Sequence, residues 1–83
     1  MSHTVFEEII ELKQAFEKGG IYFFEYFSKK RLLKARLEYE IELRLHTAMM
    51  LLTRQEISRS EYDDYKSKIE NTRKKYIKLL ADA

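Results

Sequence analysis

The chain has 83 residues, with no Cys, no Pro, no Trp and two Gly, so neither a disulfide nor a thiolate metal site can brace it. Sixteen Lys and Arg against fourteen Asp and Glu leave a net charge of +2, too balanced for a dedicated polyanion binder by charge alone. The 45% apolar content excludes wholesale disorder, yet one core in so short a chain is marginal and predicts support from a partner.

The first residues, Met-Ser-His-Thr-Val-Phe-Glu-Glu, have neither the basic nor the apolar region of a targeting signal. The longest uncharged apolar run, Thr47 to Thr53, falls well short of the roughly 18 residues needed to span a bilayer. The expectation is a single soluble, cytoplasmic domain over 1–83, with no membrane partner.

Thr4 and Glu7 have capping-box spacing. Val5, Ile9, Leu12 and Phe16 then form one apolar stripe, which predicts a helix over about 5–18. Gly19-Gly20 ends it, because glycine takes up positive φ without steric cost.

Residues 21–54 contain no Gly and no Pro. Leu37, Tyr39, Ile41, Leu43 and Leu45 alternate with charged residues, a strand signature. Composition favours helix instead: Leu, Lys, Arg, Glu, Ala and Met dominate, and Glu25–Lys29 and Glu40–Arg44 have the favourable i,i+4 order. A lone strand would also lack a pairing partner. Read as a helix, the segment has two apolar faces. The main one carries Phe23, Tyr26, Phe27, Leu33, Leu37, Ile41, Leu45, Ala48, Leu51 and Leu52. The opposite one carries Ile21, Leu32, Tyr39, Leu43 and Met50.

Ser58 and Glu61 form a second capping-box pair, with Ile57 and Tyr62 placed as a hydrophobic staple. Tyr62, Tyr65, Ile69, Thr72, Tyr76 and Leu79 then trace a heptad seam along a helix of about 58–81. The expected fold is all-α: three helices with a long central one, helix 1 antiparallel to its first half and helix 3 to its second. Such a hairpin or bundle leaves the second face of the central helix for a homo-oligomer or another protein.

Residues 54–69 include Ile57, Ser58, Glu61, Tyr62, Lys66 and Ile69 at the spacing I-T-x-x-E-[FY]-x-x-x-K-x-x-[LI]. This stretch resembles the short C-terminal domain family, SHOCT. Where the family has glycine this chain has Gln55, and where it has Thr this chain has Ser58. The resemblance implies a small helical hairpin used for protein or oligomer contacts, of a kind found on proteins of bacterial mobile elements and prophages. It brings no catalytic residues.

Chemistry-bearing constellations are absent from the pattern. His46 and Glu42 are an i,i+4 pair with no third ligand placed beside them, and His3 stands in the N-terminal tail. Asp63-Asp64 suit the dipole at a helix start, and no glycine-rich phosphate loop occurs. No enzyme activity, metal or cofactor is expected.

The most distinctive stretch runs from Ile21 to Arg36, where five aromatics precede a group of bases. Phe23, Tyr26 and Phe27 are expected to pack beneath helix 1. Tyr22 and Phe24, off that stripe, join Leu32, Tyr39, Leu43 and Met50 as candidate protein-interface residues. Lys29, Lys30, Arg31, Lys34 and Arg36, with Arg73, Lys74, Lys75 and Lys78, are candidate nucleic-acid contacts. The function expected is a non-enzymatic protein-interaction module that regulates, inhibits or helps assemble a larger complex, in the phage or mobile-element setting the resemblance implies. The alternative is a DNA- or RNA-binding accessory protein.

Overall fold

The computed structural model describes residues 4–81. They form α1 (Val5–Glu17), α2 (Phe23–Thr53) and α3 (Arg59–Ala81), with no strand among them. The strand-like alternation is therefore part of one unbroken helix. Leu37 and Ile41 point inward with Leu45 half-buried beside them, while Tyr39 and Leu43 point out. Two stripes on opposite faces of a helix read as alternation when written on one line. The aromatic-basic junction at Ser28 also lies within this unbroken helix.

Thirty-one residues make α2 about 46 Å long, which accounts for extents of 49 × 23 × 19 Å. The radius of gyration is 15.5 Å, against about 12 Å for a compact domain of this length. The fold is a rod whose backbone is α2.

Both junctions are built by the same hydrogen-bond pattern. After α1, Gly19 N–H donates to Phe16 O and Gly20 N–H to Ala15 O. After α2, Gln55 N–H donates to Leu52 O and Glu56 N–H to Leu51 O. Each is a Schellman cap, which needs one residue in the left-handed region. Gly19 supplies it at φ 72°, whereas Gln55 is forced to φ 62°. The missing glycine thus leaves the turn sharp and loads it with strain instead. We expect Gln55→Gly to stabilise the protein by about 0.5 kcal/mol, as relief of a left-handed side chain exceeds the added chain entropy of glycine. The check is a rise in the urea midpoint at constant slope; a fall would show that the Gln55 side chain contributes a contact of its own.

The caps follow the expected chemistry. Thr4 Oγ1 accepts from Glu7 N–H at 3.2 Å. Ser58 and Glu61 exchange both bonds of a capping box at 3.1 Å, with Tyr62 buried and Ile57 half-buried around it.

Packing adds one feature to the expected layout. Helices α1 and α3 both run antiparallel to α2, but they overlap along its middle rather than meeting end to end. Phe6 of α1 lies 4.8 Å from Tyr76 of α3, centroid to centroid. Leu80 shares the core with Val5, Ile9, Leu33, Leu37 and Ile41. The rod is thus a three-helix bundle at its centre and a two-helix pair toward each end.

The heptad seam of α3 needs correcting. Tyr65 is exposed, and Leu80 rather than Leu79 is the buried residue of the last turn. A straight helix drifts by about 20° per heptad from a strict seven-residue repeat, so a seam drawn from Tyr62 slips by the time it reaches the end.

Candidate interaction surface

The main aromatic expectation divides in two. Tyr26 is buried and stacks on Phe16 with centroids 4.1 Å apart. Burial pushes its phenol pKa above the ordinary value, with the charge of Glu17 adding to the effect. Phe23 and Phe27, expected beneath α1, are instead 63% and 48% exposed. Tyr26 faces α1, while Phe23 and Phe27 lie further around α2, toward the side that α3 occupies at mid-rod. Their exposure shows that α3, which ends at Ala81, leaves them uncovered. They pack on each other at 6.1 Å, and Phe23 lies edge-on to Phe24 at 6.2 Å. With Tyr22 and Phe24, both 84% exposed, they make one end of the rod an aromatic knob.

All six candidate interface residues are exposed, and they fall in two places. Tyr22 and Phe24 belong to the knob. Leu32, Tyr39, Leu43 and Met50 lie in a row along the outer face of α2, away from both packed helices. Ile21, placed on that face by periodicity, packs against the core instead. It precedes the first turn of α2, where helical periodicity does not govern side-chain direction. Met49, 45% exposed, borders the row, and no sequence signal singled it out.

Two open hollows flank the row where α1 leaves α2 uncovered. One, of about 490 Å³, is bordered by Phe6, Ala35, Tyr39 and Arg44. The other, of about 370 Å³, is bordered by Leu12, Ala15, Ile21 and Leu32. Arg36 borders both and reaches Glu8 at 2.6 Å.

Several candidate phosphate contacts already hold carboxylates. Lys29 pairs with Glu25 at 3.0 Å, Arg36 with Glu8, and Arg73 with Glu38 at 2.9 Å. The Arg73 hydrogen bond to Glu38, reinforced by that carboxylate's charge, raises the guanidinium pKa above its ordinary value. Lys30 lies over the Tyr26 ring and Lys75 over the Tyr76 ring. No carboxylate is within ion-pair distance of Arg31, Lys34, Lys74 or Lys78 among the described residues. The Arg73–Glu38 pair sets the second half of α3 beside the middle of α2.

No group of three or more His, Asp or Glu among the described residues could hold a metal ion. His46 is exposed, and His3 lies outside the described residues. No helix of the described residues is long and apolar enough to cross a membrane. What the geometry offers is shape and apolar surface. No family model, no curated protein and no solved structure matches the chain.

Proposed function

We propose that this chain is a small, non-enzymatic, helical protein-interaction module that regulates, inhibits or helps assemble a larger complex. One observation carries the reading: α2 leaves two runs of large apolar side chains uncovered, the knob at Tyr22–Phe27 and the row from Leu32 to Met50. Scattered exposed apolar residues are ordinary, but contiguous ones mark docking surfaces. Aromatic side chains with Arg nearby supply most of the energy in such contacts. The mechanism is steric, with a helical face occupying a groove or face on its partner. The resemblance of residues 54–69 to SHOCT favours the same use, and the setting we propose is a phage or mobile element. The nucleic-acid reading is the weaker of the two, because Lys29, Arg36 and Arg73 are engaged by carboxylates.

The test is affinity capture from the native host with wild-type, Phe24→Ser and Leu43→Glu baits. Both sites are exposed, so the variants keep the fold. We expect a host protein held by the wild type whose recovery drops about tenfold or more with one variant, as loss of an interface hot spot implies. Recovery that is equal for all three baits would refute the reading.

A further inference from the structure

The geometry points to a second copy of this chain as the occupant of the outer face of α2, docked antiparallel about a two-fold axis at the level of Ile41. The inference rests on the interaction reading above and names the partner of its row.

Leu32, Arg36, Tyr39, Leu43, His46 and Met50 follow at steps of four, three, four, three and four, and all are exposed. This is the a/d spacing of a coiled-coil seam, about 27 Å long; it lies on the side of α2 away from the core, with Arg36 at its margin also held by Glu8 of α1. The seam is nearly self-complementary when reversed. In antiparallel pairing an a position meets a d position of the other helix. Leu32 then meets Met50, Arg36 meets His46, and Tyr39 meets Leu43 of the second copy. Every layer joins apolar to apolar or polar to polar. Slipping the register by one heptad sets His46 against Leu43 or Arg36 against Tyr39. Parallel pairing sets Arg36 against Arg36. Polar residues at seam positions choose register in this way, at a cost in affinity.

Charge along the rod selects the same arrangement. The first half of α2 carries Lys29, Lys30, Arg31, Lys34 and Arg36 against Glu25. The second half carries Glu38, Glu40 and Glu42 against Arg44. The second half of α3 adds Arg73, Lys74, Lys75 and Lys78 against Glu70 to the basic half, which α1 partly offsets with Glu7, Glu8, Glu11 and Glu17. At the other end Glu61, Asp63 and Asp64 are balanced by Arg59, Lys66 and Lys68, so the acidic character there comes from α2. Antiparallel docking lays each basic half along the acidic half of the other copy, whereas parallel docking sets like against like. Met49 falls beside Ala35 of the second copy and widens the apolar contact. Glu40 and Glu42 of both copies are like charges near the axis and weaken it, Glu40 less so because Arg44 pairs with it. The resulting dimer displays an aromatic knob at each end, free for other proteins.

The experiment uses the full chain, which has no native Cys, in light scattering and thiol cross-linking. The wild type is expected to be a dimer at high micromolar concentration. Leu43→Glu is expected to be a monomer with unchanged helicity, melting at the temperature of the wild type diluted to where it too dissociates. With a short bismaleimide, Leu32→Cys mixed with Met50→Cys is expected to give a cross-linked pair, while Leu32→Cys alone gives none. A wild-type monomer, a Leu43→Glu dimer, or Leu32→Cys linking to itself would each overturn the proposal. A monomer that still captures a host protein would defeat the dimer and leave the interaction reading standing. A cross-linked antiparallel dimer that captures no host protein would support the dimer and defeat the larger-complex reading.

Discussion

Leu37→Ala is expected to destabilise the protein by about 2–5 kcal/mol, the range for truncating a fully buried leucine. Leu37 is 0% exposed and sits at the middle of α2, in the section where all three helices meet. The cost is at the high end where a site cannot collapse, and here α1 and α3 close on it from two sides. A chain of 83 residues has a total stability of only about 4–12 kcal/mol. The loss is therefore a large share of the whole, with a fall in melting temperature of about 10 °C or more. Urea denaturation followed by circular dichroism measures it. A loss under about 1 kcal/mol would mean that the two outer helices do not converge on the middle of α2.

The second large effect is a contrast within one segment. Tyr26→Ala is expected to cost about 3–5 kcal/mol, because the ring is 3% exposed and its stack on Phe16 ties α1 to the start of α2. Phe24→Ala, two residues away, is expected to change stability by no more than about 0.5 kcal/mol, since its ring is 84% exposed. Comparable losses from both would mean that the knob is part of the core, which would remove it as a docking surface. Comparable small losses would detach α1 from the aromatic segment.

The difference between those two residues was only half legible in the pattern. Periodicity put Tyr26 on the main stripe and Phe24 off it, and both placements hold. The same periodicity put Phe23 and Phe27 with Tyr26, and there it failed. A stripe states which way a side chain points and says nothing of whether another element reaches that far along the axis. Tyr26 has Phe16 above it, while Phe23 and Phe27 have no helix over them. The basic groups show the same limit. Their positions along the chain were plain, but that Arg36 is held by Glu8 and Arg73 by Glu38 depends on helix-to-helix register.

Gln55 illustrates the converse. Apart from the glycine that the resembled family has at Gln55, nothing in this turn signalled a left-handed residue, yet the turn forms, because two backbone hydrogen bonds and the packing of both flanking helices outweigh the strain of a single side chain.

Local chemistry by itself determined the three helices, the side-chain caps that open α1 and α3, the glycine that closes α1 and the two faces of α2. Capping boxes, glycine placement and 3.6-residue periodicity act within a few residues and need no tertiary partner to be read. Tertiary structure alone decided the overlap of α1 and α3 at mid-rod, the exposure of the aromatic knob and the engagement of the bases. Each of these depends on where helices of 13, 31 and 23 residues end relative to one another. End to end α1 and α3 would be long enough to cover α2, but they overlap at mid-rod and lie on one side of it, and what they leave bare is the surface to which we assign the function.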